Sequence, residues 1–386
     1  MLIFKFSFNN NYICLLKIKK IMALKCGIVG LPNVGKSTLF NCLSKAKAQS
    51  ANYPFCTIEP NVGVITVPDS RLLRLAELVN PEKVQPTTVE IVDIAGLVKG
   101  ASKGEGLGNK FLANIRETNA IIHVLRCFDD DNIVHVDGSV DPVRDKETID
   151  FELQIKDLET IEKKKDKYEK IAKSGNKDAQ KIVSSLDKYI SHLENGNSAR
   201  SLDASESDLE VIEDLHLLTA KPILYVCNVD ENTLTSSNTH VDSVRNATRN
   251  EDSEILLIAT AIESEIAELE DVEEQQMFLK EMGLDKPGIH HLIKATYNLL
   301  NLQTFFTAGK KEVKAWTIKK GTKAPQAAGV IHTDFEKGFI RAEVISYSDF
   351  NSLESEIACK ESGKIKIHGK DYIVQDGDVV HFLFNV

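Results

Sequence analysis

From Leu24 onward the chain sets short apolar runs against polar, periodic segments. The run Leu24 to Val29 is followed by a glycine-rich turn and then by a helical pattern over Lys36 to Ala46, giving a strand, a loop and a helix in order. Further apolar runs at Val89 to Ile94, Ala120 to Leu125, Ile223 to Cys227 and Ile255 to Ile258 are of strand length and mostly lack alternation. Strands covered on both faces read this way, so the spacing predicts a parallel α/β sheet.

Between about Lys146 and Asp203 the sheet pattern gives way to charge-rich helical periodicity, with Ile155, Leu158, Ile161 and the run Glu162 to Lys167. An inserted antiparallel pair of helices is expected. It is divided near Ser174-Gly175-Asn176 and ends near Asn195-Gly196-Asn197, where glycine and asparagine stop helices. Such a pair is either a solvated spacer or a partner-binding arm. An acidic helical stretch follows from Glu263 to Glu281; Gly283 and Pro287-Gly288 break it, and a connecting helix ends near Leu302. From Phe305 to Val386 the pattern turns to short strands: Val313 to Ile318, Phe339 to Val344, Ile365 to Ile367, Tyr372 to Val374 and Val379 to Phe384. A small mixed α+β domain fits.

Composition narrows the partners. The 386 residues are 42% hydrophobic and 27% charged, ordinary for globular protein and long enough for more than one core. A formal net charge of -10 argues against a protein that coats nucleic acid with its whole surface and leaves room only for a local basic face. Seven cysteines, Cys14, Cys26, Cys42, Cys56, Cys127, Cys227 and Cys359, lie far apart without C-x-x-C spacing, so neither a disulfide framework nor a zinc site is expected. No apolar run reaches the 18 or so residues of a spanning helix. The first 21 residues are apolar in patches but are broken by Asn9, Asn10 and Asn11 and lack a basic start and a cleavage site. They read as an extension, with Met22 as the start of the functional chain.

The chemistry begins at Gly30-Leu31-Pro32-Asn33-Val34-Gly35-Lys36-Ser37, which matches G-x-x-x-x-G-K-[ST] between a strand and a helix. In such a phosphate-binding loop, or P-loop, the glycines let backbone N–H groups close around phosphates, and the helix start adds positive partial charge. Lys36 is expected to neutralise β and γ oxygens, the Ser37 hydroxyl to ligate Mg²⁺, and Thr38 to bond a phosphate nearer the sugar. Thr57, in Asn52 to Thr57, is the best hydroxyl for a second metal ligand from a mobile loop. Asp93-Ile94-Ala95-Gly96 closes an apolar strand, so Asp93 is placed to hold a metal-bound water and Gly96 to meet the γ-phosphate. The glycine-rich stretch Gly96 to Gly108 reads either as a nucleotide-ordered switch or as a loose loop.

A guanine site carries Asn-Lys-x-Asp after a strand; here the place reads Asn228-Val229-Asp230-Glu231. The missing lysine and the longer carboxylate weaken guanine selection, which favours ATP over GTP. Taken with Lys25 to Asn41, Asn52 to Asn61, Asp93 to Arg116, and Ala308 to Arg341 with its Ala324-Pro325-Gln326-Ala327-Ala328-Gly329, these residues resemble the Obg-like ATPase (YchF) family from about Met22 to Val386. The resemblance implies an α/β P-loop NTPase domain of the TRAFAC class at 22–280, carrying a coiled-coil arm at about 146–203. It also implies a connecting helix at 281–302 and a C-terminal TGS domain of β-grasp fold at 303–386, with 1–21 outside. It further implies Mg²⁺-dependent ATP hydrolysis, weaker with GTP, and association with the ribosome, mainly its large subunit and RNA, in regulating translation or stress responses. A cytoplasmic monomer is expected, with neither membrane nor DNA as a partner.

Leu97 stands where Ras-like GTPases carry the glutamine that orients water. His135 resembles the histidine proposed for that role in the family, while His123, within an apolar strand, reads as core. Asn33 resembles P-loops of potassium-activated relatives, which makes K⁺ a candidate cofactor. Lys310, Lys311, Lys314, Trp316, Lys319, Lys320 and Lys323 form either an RNA-facing patch or one solvated sheet edge. Two alternatives stand beside the ATPase: a ribosome-binding module indifferent to nucleotide, and an Obg-type GTPase in ribosome assembly.

Overall fold

The computed structural model describes residues 24–48, 62–94, 107–234, 236–269 and 271–385. In chain order the first strands are Lys25–Val29 (β1), Val62–Thr66 (β2), Lys83–Gln85 (β3), Thr88–Asp93 (β4), Ala120–Arg126 (β5), Ile223–Asn228 (β6) and Glu254–Ile258 (β7). All but β3 form one sheet in the order β2-β4-β1-β5-β6-β7. Every pairing in it is parallel except β2 with β4. β5 and β6 are buried along their whole length, which is why their runs show no alternation. The expected α/β sheet is therefore present, and the first helix, Lys36–Ala48, follows β1 directly.

The inserted helices are Pro142–Ala172 and Lys177–Glu194. They divide where expected: Gly175 takes φ +87°, and the Asn176 side chain accepts from the N–H groups of Asp178 and Ala179. The pair has a core of its own, in which Ile161, Leu186, Tyr189 and Leu193 meet Leu217. The acidic stretch from Glu263 is two helices, Thr260–Ile266 and Val272–Glu281. Glu263 is not part of a solvated acidic face. It is buried, and its carboxylate accepts from the N–H groups of Gly288 (2.6 Å) and Ile289 (3.3 Å), at the start of the helix Gly288–Leu299.

That helix ends at Leu299, and Asn301, at φ +55°, turns the chain into a strand where the sequence pattern suggested helix. The later strands are Leu302–Ala308 (β8), Glu312–Lys319 (β9), Phe339–Ser346 (β10), Lys366–His368 (β11) and Asp378–Phe384 (β12). They form a second sheet, β11-β10-β12-β8-β9-β3. Tyr372 to Val374, read as a strand, makes only an isolated bridge between Ile373 and Lys323.

The sixth strand of this sheet is β3, which lies in the chain between two strands of the first sheet and pairs parallel with β9. The helix Ser70–Val79 just before it packs Leu72 and Leu75 against Phe306, Val313, Ala315 and Ile345. Arg71 reaches Asp376 at 2.7 Å, and the Thr87 and Thr317 hydroxyls meet. Residues 70–85 are thus built into the C-terminal sheet, although the sequence division placed them within 22–280.

Candidate functional site

The C-terminal ends of β1, β5 and β6 converge on one edge of the first sheet, the edge at which such sheets hold ligands. The turn from β1 into the helix Lys36–Ala48 is built on two glycines. Gly30 sits at φ +157°, and a Cβ there would lie 2.6 Å from the Val124 carbonyl oxygen. Gly35 sits at φ +98°, where a Cβ would lie 2.4 Å from Asn228 Nδ2. Neither position admits a side chain. Asn33, at φ +61°, is exposed and donates from Nδ2 to the Val134 carbonyl (3.1 Å).

Lys36 is buried and donates to the Leu31 carbonyl of its own loop at 2.6 Å. Desolvation lowers its pKa to about 8, with the Asp93 carboxylate pulling the other way. Asp93 ends β4, close enough to Ser37 for the hydroxyl to favour its charged form. Burial raises the Asp93 pKa, against the effects of Lys36 and Ser37, and its Oδ1 is buried without a hydrogen-bond partner. An orphaned carboxylate oxygen beside a serine hydroxyl is an oxygen-donor set that suits Mg²⁺.

Asn228, the last residue of β6, ties this site together. Its Nδ2 donates to the Val34 carbonyl (3.0 Å), and its Oδ1 accepts from the Thr260 N–H (3.1 Å) at the start of the helix Thr260–Ile266. Val34 and Val229 both bury their side chains in the main core, so each can serve a nucleotide only through its backbone or its packing. Glu231 is exposed and opens a short 3-10 turn, whereas Asp230 caps that turn by accepting from the Thr233 N–H at 3.0 Å. Ser37 is exposed and Thr38 half-buried, both at the helix start. Thr57 and Gly96 lie outside the described residues, as do Leu97 and most of the Gly96 to Gly108 switch.

His135 differs from expectation. Its Nε2 lies 2.8 Å from the buried Asp145 Oδ2, and its Nδ1 accepts from the Asp137 N–H at 3.2 Å. Both ring nitrogens are engaged within the chain, so in this arrangement the ring has none left to orient a water. His123 is core, as read: it is fully buried and tilted against Tyr225.

Sequence reasoning missed Arg126. The signal was a cation closing the otherwise apolar run Ala120 to Leu125. Its guanidinium is buried and donates to the carbonyls of Phe128, Asp130 and Ile133.

Comparison with known proteins places this chain among relatives. A family model described as 50S ribosome-binding GTPase matches residues 25–174, and the YchF-GTPase_C model, described as a protein of unknown function (DUF933), matches residues 302–385. A protein of Haemophilus ducreyi described as ribosome-binding ATPase YchF is 58% identical over 365 residues, covering 95% of this chain and 100% of its own. The chain belongs to the YchF family. A Bacillus subtilis YchF, also described as a ribosome-binding ATPase, is 56% identical over 367 residues, and 100% of its own length is covered. The solved structure of a Schizosaccharomyces pombe YchF, described as a GTPase, superposes with a TM-score of 0.86 at 40% identity, covering 94% of this chain and 98% of that one. The YchF-GTPase_C match begins at the start of β8 and so excludes β3 and the helix Ser70–Val79, which the fold places in the same unit.

Proposed function

We propose that this YchF protein binds and hydrolyses ATP and associates with the ribosome, its nucleotide state altering that contact. The observation that carries the proposal is the joint geometry at Asn228: the strand that would read the base is bonded directly to the phosphate loop at Val34. The sequence Asn228-Val229-Asp230-Glu231 lacks the lysine and the aspartate that hold guanine, with Val229 in the core and Glu231 at the surface. YchF relatives described as ribosome-binding ATPases support the same reading.

Ser37 and Asp93 would hold Mg²⁺ in this proposal, with Thr57 as the further hydroxyl. Bound there, the ion would supply neutralisation of phosphate charge. Lys36 must leave the Leu31 carbonyl to meet phosphate oxygens, and the charge it brings is one that burial has already made less favourable in the empty loop. Gly96 offers its backbone N–H to the γ-phosphate, and Asn33 is the residue through which K⁺ would act. His135 can orient water only after its ring leaves Asp145.

In this proposal the ribosomal contact is with the large subunit and its RNA, made by a cytoplasmic monomer whose C-terminal sheet acts as a TGS domain. Exposed Lys310, Lys311, Lys319 and Lys320 supply the basic face, while Lys314 lies over the Trp316 ring at 3.8 Å and so belongs to the packing. No helix among the described residues is long and apolar enough to cross a membrane.

The deciding experiment is equilibrium competition of ATP, ADP, GTP and GDP against a fluorescent ATP analogue with Mg²⁺, followed by ribosome sedimentation in each nucleotide state. The expected result is at least about tenfold preference for adenine nucleotides, or 1.4 kcal/mol, and nucleotide-dependent sedimentation. Guanine preference would overturn the ATPase reading, and equal sedimentation with and without nucleotide would overturn the switch.

A further inference from the structure

Three consecutive residues beside the phosphate loop are held by three different elements. The Ile133 carbonyl accepts from Arg126 Nη1 at the end of β5 (2.7 Å). The Val134 carbonyl accepts from Asn33 Nδ2 of the phosphate loop (3.1 Å). The His135 ring meets Asp145, near the start of the helix Pro142–Ala172. The path of residues 133–135 therefore determines what the phosphate loop can lean on.

Arg126 is the interior end of this arrangement. It is 1% exposed, it pairs across β5 and β6 with Asn228, and its guanidinium lies 4.8 Å from the Phe128 ring centroid. Besides Ile133, it donates from Nε to the Phe128 carbonyl (3.2 Å) and from Nη2 to the Asp130 carbonyl (3.0 Å). Among the described residues no carboxylate forms an ion pair with it. A buried cation without an anion is costly, and a methionine or leucine would fill the same space in the core. What the hydrophobic residue cannot do is bind three carbonyls of one loop at once. Lysine cannot do so in this way either, since the planar fork that reaches them belongs to arginine.

Asn33 stands at the other end. It is exposed and left-handed between the two phosphate-loop glycines, and its side-chain amide donates to the Val134 carbonyl. A shift of that carbonyl by about 1 Å is the scale of misplacement that costs an enzyme about a hundredfold in rate.

We propose that Arg126 is a positioning residue for phosphate transfer. By fixing the loop 128–134 it holds Asn33, and with it the phosphate end of the site, without touching nucleotide. The inference rests on the ATPase reading above, but it also predicts a structural effect that needs no turnover.

The test uses the full-length chain and the variants R126M, R126K, N33A and R126M/N33A. In the nucleotide-free protein, R126M is expected to speed amide hydrogen exchange both in peptides spanning 128–135 and in those spanning 30–35. Unchanged exchange over 30–35 overturns the inference whether or not the protein hydrolyses ATP. With ATP, R126M is expected to lower kcat by about tenfold or more and to change the Kd for ADP by less than about threefold. The double variant should be no slower than the slower single one, because both substitutions act on one path, from Arg126 through residues 128–134 to Asn33. Effects that multiply, a wild-type kcat accompanied only by a lower Tm, or full rescue by R126K would each overturn it. If R126M does not fold, R126K with N33A forms the same cycle, and R126K is then expected to show the rate loss.

Discussion

The side-chain amide of Asn228 donates to the backbone carbonyl of Val34 across 3.0 Å, so the last residue of β6 is bonded to the turn that follows β1. Its amide oxygen accepts from Thr260, which makes Asn228 a brace between two loops before it is anything else. Removing it leaves a buried carbonyl and a buried N–H unpaired, at a cost of about 1–3 kcal/mol each. N228A should therefore lower the midpoint of urea unfolding in the nucleotide-free protein, and not only weaken nucleotide binding. A variant that binds ATP poorly but unfolds like the wild type would show that the brace carries no structural load.

Asp93 gives the opposite expectation. Desolvation raises its pKa, and one of its oxygens is buried without a partner, so its charge is a burden in the empty protein. D93N should leave the nucleotide-free Tm unchanged or higher while lowering Mg²⁺-dependent hydrolysis by about two orders of magnitude. Scanning calorimetry and steady-state rates on the same preparation decide it. A fall in Tm with hydrolysis intact would assign the carboxylate a purely structural role.

His123 makes stability depend on acid. Burial lowers its pKa from the ordinary 6.5 to about 3, and neither ring nitrogen has a partner. The unfolded chain binds a proton at this residue below pH 6.5, whereas the folded chain does so only near pH 3. The contribution of neutral His123 is thus fully present above pH 6.5 and is lost as pH falls, by about 1.4 kcal/mol per pH unit. H123L removes the titration and the two unpaired nitrogens together. Its stability advantage over the wild type should widen between pH 6.5 and pH 4.5; a gap independent of pH would mean that the ring is hydrated or paired in solution.

Leu75 tests the junction between the sheets. It is fully buried and lies in sequence between strands of the first sheet, yet it packs in the core of the second with Phe306 and Val313. L75A should cost about 2–5 kcal/mol and destabilise the C-terminal sheet along with the segment that carries it. Hydrogen exchange over residues 302–319 reports this directly. Exchange unchanged there, with loss confined to residues 62–94, would place the load on the first sheet alone.

The pattern of apolar runs was enough to find the first sheet, because strands buried on both faces leave uninterrupted signatures: β1, β5 and β6 lie where those runs lie, and the half-buried edge strand β7 follows its own run. The inserted helices were legible for a similar reason, since Gly175 and Asn176 stop and restart them with residue types suited to the task. What escaped was whatever depended on partners distant in sequence. β3 is three residues long and exists because β9 offers an edge. Leu302 to Ala308 continues an apolar helix, and only the turn at Asn301 reveals the change to strand. At the site, the phosphate loop announced itself through glycines that no other residue can replace, whereas the His135–Asp145 pair and the Arg126 fork are set by contacts that spacing does not encode.

A strand lent by one sheet to the other also sets limits on how the molecule can be divided. Cut before Leu302, the C-terminal piece would show solvent an open β9 edge and an apolar face stripped of Leu72 and Leu75, features that invite association with other chains. The remaining piece would carry a helix and a short strand with nothing to rest on. The segment that joins β2 to β4 is therefore common to both halves: β4, which ends in Asp93, begins three residues after β3 ends, so a short stretch of chain links the far sheet to the phosphate site.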